Sequence, residues 1–277
     1  MSPTGERDTG TEHLRAVVED GVGTITMDRP ERRNALSGEM LTALARTLAA
    51  FETDDDVGCV VLTGAGGAFC AGGDVKGMAS GGDAGGSGGS SLDAVVHLQR
   101  LSHRATSGKL HEMPKPTLAA ISGPAAGAGL SLALACDLRY AARGSVLTTA
   151  FAKVGFAGDY GGTWFLTRLV GPAKARELYY LSDRLSADEG LALGIVNAVF
   201  PVETFEAQVA EVARRLADGP RVAYRYMKEN LNRAMDAGLA ECLDLEATHH
   251  IRTGGTEDHR EAAAAFVEKR DPVFKGR

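Results

Sequence analysis

Apolar residues in this chain follow two rhythms, and the switches between them mark its elements. LRAVVED (14–20) and VGTITMD (22–28) are short runs rich in β-branched residues on either side of Gly21, which predicts a hairpin. From Ser37 the spacing lengthens: Leu41, Leu44, Ala45 and Leu48 repeat at the period of a helix. CVVLTG (59–64) and PTLAAISG (116–123) are continuously apolar, as in strands covered on both faces. A helix is expected near 92–112 and a tightly packed one over GAGLSLALACD (127–137). DLRYAA (137–142), SVLTT (145–149) and the run IVNAVF (195–200) predict further strands. The last 60 or so residues read as three amphipathic helices and a basic tail.

Strands alternating with helices predict an α/β class, and the late helical stretch predicts an appended helical region. Residues 1–12 read as a disordered tail, residues 13–215 as the core and residues 216–277 as the helical region. SGGDAGGSGGSS (80–91) is of low complexity and reads as a mobile surface segment.

Of the 277 residues, 44% are hydrophobic and 24% charged, ample for a core. The net charge of −6 is made of scattered signs, with no basic block to serve a nucleic acid or a membrane. Cys59, Cys136 and Cys242 sit in apolar runs, where reduced buried thiols are expected. Cys70 lies in a glycine-rich loop and is the possible exception. The polar N-terminus lacks an apolar signal core, so a cytoplasmic location is expected.

Two glycine loops carry candidate chemistry. Gly64–Asp74 follows one buried strand, and Gly123–Gly129 follows another and opens a helix. Both expose backbone N–H groups beside residues too small to screen them; two such groups converging on one point make an oxyanion hole. Tight turns and close packing would explain the same glycines. Neither loop spells GxGxxG or GxxxxGK, so dinucleotide and P-loop readings fail. In GFAGDYGGTW (155–164) a single carboxylate, Asp159, stands among glycines ahead of a helix: a cap, a turn residue or a base. His97, His103 and His111 read as solvated on a surface helix, and His249 and His250 lack metal-ligand spacing, so no metal is expected. Trp164 reads as core or pocket wall.

RPERRNAL, CVVLTGAGGAFCAGGD, AAISGPAAGAGLSLALACD and GGTWFLTRLVG, in this order and spacing, resemble the enoyl-CoA hydratase/isomerase family, the crotonase superfamily. The match runs from about residue 14 to the final DPVFKGR. The resemblance implies a crotonase-like spiral of ββα units with a C-terminal helical trimerisation region. It implies a homo-trimer or a dimer of trimers, and an acyl-CoA substrate with coenzyme A as part of that substrate and no permanently bound cofactor. It implies oxyanion donors at the backbone N–H of Gly73 and of Ala128. Gly73, Asp74, Val75 and Lys76 match the segment lining the CoA cleft; Lys76 reads equally as a phosphate contact or a solvated lysine. Phe274 and Lys275 match a segment that approaches CoA on a neighbouring subunit.

Departures from the family pattern narrow the chemistry. Hydratases of the family carry two glutamates that handle water; at the matching positions stand Ser131 and Phe151. Asp159 falls where a subset of the family keeps a catalytic aspartate, and ring-1,2-epoxyphenylacetyl-CoA isomerases resemble this chain most. The expectation is an isomerase in which Asp159 carries a proton from C2 to C4 of a 3-enoyl thioester, through an enolate held by the two N–H groups. Asp74 is expected only to order its loop. The alternatives are a 2-enoyl-CoA hydratase that holds water differently, and an acyl-CoA-binding protein without catalysis.

Overall fold

In the computed structural model, which describes residues 5–74 and 91–277, the chain opens on a strand. β1 (Glu6–Arg7) pairs antiparallel with β2 (Leu14–Glu19), which forms the expected hairpin with β3 (Val22–Met27). The tail expected to be disordered is therefore ordered in its described part. An open hairpin edge leaves backbone groups unpaired, and this segment pairs them: Val18 N–H donates to Gly5 O at 2.9 Å. The buried Thr9 hydroxyl donates to Leu14 O at 2.7 Å.

α1 (Gly38–Thr53) starts where the period predicts, because the Ser37 hydroxyl accepts from Met40 N–H and caps it. Its buried face is Met40, Ala43, Leu44, Thr47, Leu48 and Phe51, with Leu41 and Ala45 at the margin. β4 (Cys59–Gly64) follows. The helix expected over 92–112 is broken into α2 (Leu92–His103), a π-helical turn over Arg104–Gly108, and α3 (Lys109–Glu112). Thr106 and Ser107 donate their hydroxyls to Ser102 O and His103 O, one turn back, a bond that competes with the regular ladder.

Then come β5 (Thr117–Ile121), β6 (Ala125–Ala126), α4 (Ala128–Ala135), β7 (Leu138–Ala142), β8 (Val146–Thr148) and α5 (Gly162–Leu181). After α5 run β9 (Leu185–Ser186), α6 (Ala187–Ala192), β10 (Ala198–Phe200) and α7 (Phe205–Ala217). α8 (Arg221–Ala234), α9 (Leu239–Gly254) and α10 (Glu257–Glu268) complete the chain. The large sheet has the order β1-β2-β3-β4-β5-β7-β10, parallel from β3 onward, and a small sheet has the order β6-β8-β9. One unit repeats: a strand in the large sheet, a short strand in the small one, then a helix, as in β5-β6-α4 and β7-β8-α5.

The central strands β4 and β5 are covered on both faces, which is why they do not alternate in the sequence, whereas β2 and β3 bury alternate residues. Val60, Leu62, Ala119, Ile121 and Ala141 join the core under α1 and α4. Cys59, Val61, Leu118, Ala120 and Ala142 face Phe205, Val209, Ala213 and Ala217 of α7. The expected division at 215/216 thus falls inside a helix that belongs to the core. α4 is buried along its whole length, as its uniformly apolar sequence requires. The C-terminal helices are tied in by Lys228, only 8% exposed, which reaches Asp137 at 2.8 Å and the carbonyls of Leu110 and Lys115 at 3.0 and 3.1 Å. A buried ammonium held this way has its hydrogens met. Among the described residues no helix is long and apolar enough to cross a membrane.

Candidate active site

The first glycine loop hangs from β4 on a frame supplied by the segment before α1. Asn34 is fully buried; its amide nitrogen donates to Ala65 O and Ala68 O at 2.9 and 2.8 Å, and its Oδ1 accepts from Arg29 N–H at 2.9 Å. Leu36 bridges Gly73 in parallel fashion, with Leu36 N–H donating to Gly72 O at 2.8 Å. In such a bridge the central residue turns its own N–H to the other side, which leaves Gly73 N–H pointing away from Leu36. The Arg29 guanidinium donates to Ala35 O at 2.7 Å and meets the Asp74 carboxylate at 3.3 Å. Asp74 is thereby tied into the frame next to Gly73. Val75, Lys76 and residues 80–90 of the low-complexity stretch lie outside the described residues.

The second loop lies against the first. Ala126 N–H donates to Cys70 O at 2.9 Å, and a bridge joins Cys70 to Ala125. A Cβ built on Gly72 would stand 2.8 Å from Ala126 O and 3.4 Å from Ala128 N. Gly127 caps α4 at φ 52°, ψ −126°, a backbone that a side chain resists. Ala128 follows as the first helical residue, so its N–H has no acceptor within α4. The two expected donors are thus brought to neighbouring positions. Cys70, the possible exception to the buried thiols, is fully buried as well; it donates to Asn34 O at 3.0 Å, and burial pushes its pKa up to about 12. Near neutral pH it is held as a thiol.

The positions of the absent glutamates are filled. Phe151 is 6% exposed and stacks parallel to Tyr179, with centroids 5.9 Å apart. Ser131 is buried and its hydroxyl donates to Gly127 O at 3.2 Å. Gly162 presses on this pair: a Cβ there would come within 2.2 Å of Ser131 Oγ and 2.6 Å of the Tyr179 hydroxyl. Burial raises the Tyr179 phenol to about 12, so this corner carries no charge near neutral pH.

Asp159 does not cap α5. The N-cap is Gly161, with no side-chain bond. Gly162 N–H instead donates to the backbone O of Asp159 at 3.1 Å, closing a turn whose central residues, Tyr160 and Gly161, have φ of 49° and 76°. The turn aims the carboxylate at α2. There Gln99 Nε2 lies 3.2 and 3.3 Å from the two carboxylate oxygens, and His103 Nε2 is in direct contact with Oδ1. Tyr160 N–H donates to the same Oδ1 at 3.1 Å.

His103 is therefore not the solvated surface histidine expected from the helical reading. Its ring packs on Tyr160 with centroids 4.5 Å apart. His111 is likewise corrected: it packs edge-on against Trp164 and Phe165, and burial lowers its pKa. His97 is exposed, as read. Gln99 had no reading from the sequence, although its i, i+4 spacing to His103 puts both on one helix face.

An open cavity of about 1280 Å³ begins beside this cluster. His103, Gly161, His111, Trp164 and Phe165 line its core side, and Arg225 and Lys228 of α8 its far side. Trp164, a pocket-wall residue, is covered by the Arg168 guanidinium at 3.8 Å. Phe274 and Lys275 lie elsewhere. The tail is bound to α10, where the buried Asp258 carboxylate accepts from Lys275 N–H and Gly276 N–H at 2.7 and 2.9 Å. Within this chain the described contacts do not bring either residue to the glycine loops.

These features agree with what the chain is related to. The enoyl-CoA hydratase/isomerase family model matches residues 18–277. The 1,2-epoxyphenylacetyl-CoA isomerase of Escherichia coli K12 is 37% identical over 96% of this chain and 99% of its own. The 4-chlorobenzoyl coenzyme A dehalogenase-1 of an Arthrobacter species is 34% identical over 97% of this chain and 94% of its own. The crystal structure of an enoyl-CoA hydratase from Bacillus anthracis superposes with a TM-score of 0.86 at 32% identity, over 96% of this chain and all of the other. The chain belongs to the enoyl-CoA hydratase/isomerase family, with the crotonase fold. It is an acyl-CoA-processing member of that family.

Proposed function

We propose that this protein is an isomerase that moves a double bond in an enoyl-CoA from the 3- to the 2-position. The thioester carbonyl accepts from Gly73 N–H and Ala128 N–H, and the enolate formed on loss of a C2 proton is stabilised there; one such donor is worth about 3–4 kcal/mol of barrier. Asp159 takes the proton and returns it at C4. One carboxylate suffices, since the proton is moved and not consumed. The observation that carries this reading is the turn at Asp159: its carboxylate is free of the helix cap and is held beside Gln99 and His103. The packed Phe151 and Ser131 support it, because they leave no carboxylate where the family's hydratases handle water.

The same base could open a ring epoxide, and the isomerase relative suggests that substrate. Coenzyme A enters and leaves with the substrate, with no permanently bound cofactor. Gly73–Lys76, and Phe274 and Lys275 toward a neighbouring subunit of a trimer or dimer of trimers, are the proposed CoA contacts, and the cytoplasm is the proposed location. One observation favours the hydratase reading: His103 beside Asp159 supplies a second group able to hold a water.

A panel of 2-enoyl, 3-enoyl and ring-epoxide phenylacetyl thioesters, given to the wild type and to Asp159→Asn, tests the choice. Isomerisation of the 3-enoyl or epoxide substrate, lost in the variant, is expected. Fast hydration of the 2-enoyl substrate, kept in the variant, would sink it.

A further inference from the structure

The two carboxylate oxygens of Asp159 are held differently. Oδ1 accepts from Tyr160 N–H at 3.1 Å and from the Gln99 amide at 3.2 Å, and it touches His103 Nε2. A carboxylate oxygen only accepts, so the group of Gln99 that faces it is NH2, and the His103 nitrogen that touches it carries a hydrogen. The two side-chain nitrogens stand 3.0 Å apart because both converge on this carboxylate. Among the described residues Oδ2 has one partner, the same Gln99 amide at 3.3 Å. One oxygen is filled, and the other keeps a free lone pair. Burial does not account for the arrangement, since α2 buries none of its residues and Gln99 itself is exposed.

We propose that Oδ1 is the anchored oxygen of Asp159 and Oδ2 the one that moves the proton, with Gln99 and His103 as the positioning residues that keep it aimed. This rests on the enolate reading above. The C2–H bond breaks, its electron pair stays in the enolate, and the proton joins Oδ2. Its return to C4 takes up an electron pair of the enolate, leaves the double bond at the 2-position and restores the carboxylate, so atoms and charge balance. The last torsion of an aspartate is broad when nothing holds it. Turning this carboxylate would break the bonds on Oδ1, so the donors fix the plane in which Oδ2 meets C2 and C4. The donors are fixed in turn. Tyr160 N–H belongs to the turn itself, and the His103 ring packs on the Tyr160 ring with centroids 4.5 Å apart.

The test is isomerisation of 3-hexenoyl-CoA by the wild type, Gln99→Met, His103→Ala and His103→Gln, with a melting curve for each protein. Gln99→Met keeps the length of the side chain and loses its donor; His103→Gln puts an amide where Nε2 stood. Gln99→Met is expected to lower kcat at least about tenfold, with KM within about twofold of the wild type and an unchanged melting temperature. His103→Ala is expected to lose as much, and His103→Gln to stand at least about threefold above it. If the bonds serve only to tie α2 down, Gln99→Met melts earlier and keeps its kcat, which overturns the proposal. A raised KM at constant kcat in Gln99→Met also overturns it, for Gln99 then acts on substrate binding. His103→Gln no better than His103→Ala overturns the part given to His103. In each of these cases the wild type still isomerises. If the wild type neither isomerises nor exchanges at C2, the enolate reading itself falls, and this proposal with it.

Discussion

Around Ser131 and Phe151 the site is tightly packed; around Asp159 it is polar and half open. The first corner is closed by stacked rings, a buried hydroxyl bonded to the backbone, and a glycine that leaves no room for more. The second holds a carboxylate, an amide and an imidazole in mutual contact, the imidazole lining a cavity. The difference teaches that losing the two glutamates has not left an empty version of a hydratase site. Their positions are packed as wall, and a titratable cluster stands on the turn before α5.

The largest effect expected is at the polar corner. Asp159→Asn keeps the turn and the contact with α2 but cannot take a proton, so kcat for 3-enoyl isomerisation falls about 10²–10⁴-fold. A steady-state assay with a melting curve checks that the loss is chemical. Phe151→Ala attacks the packed corner. Removing a buried, stacked ring lowers stability by about 3–5 kcal/mol, measured as a shift in the urea midpoint. Were the variant as stable as the wild type, the corner would not be the packed wall described.

Gly162→Ala is the milder strike at the same wall. Its methyl would meet Ser131 Oγ at 2.2 Å and the Tyr179 hydroxyl at 2.6 Å. Overpacking of this kind costs about 1–3 kcal/mol, and pairing it with Tyr179→Phe recovers part, since one of the two clashing oxygens is gone.

The smallest effect is on pH dependence. Burial pushes the Tyr179 and Tyr160 phenols, and the Cys59, Cys70 and Cys136 thiols, up to about 12, from ordinary values of 10.0 and 9.0. The folded state thus favours the protonated forms. The stability they contribute is whole below about pH 9 and is lost as pH rises toward 12. Melting temperatures taken across that range are expected to fall, and to fall less steeply in Tyr179→Phe.

Much of the frame was legible because local rules and tertiary context agreed. Ser37 starts α1 as an N-cap, and CVVLTG is apolar throughout because α1 and α7 cover opposite faces of it. The ordered N-terminal strand was not legible, since its order comes from pairing with β2 and from no apolar pattern of its own. Nor was the break in the 92–112 helix, where the adjacent Thr106 and Ser107 hydroxyls bond to carbonyls one turn back. At the candidate site, Asp159, Gly73 and Ala128 were proposed from motif position, and the fold sets the two glycine loops against each other. His103 and Gln99 were not, because they stand 56 and 60 residues before Asp159 and only the fold joins them.

The most direct test of the central claim is exchange at C2. A 3-enoyl-CoA in heavy water, followed by proton NMR with the wild type and with Asp159→Asn, reports proton removal apart from product formation. The account predicts that the wild type replaces the C2 hydrogen with deuterium while forming the 2-enoyl product, and that the variant does neither at a comparable rate. A variant that exchanges C2 as fast as the wild type would contradict it, for then another group removes the proton.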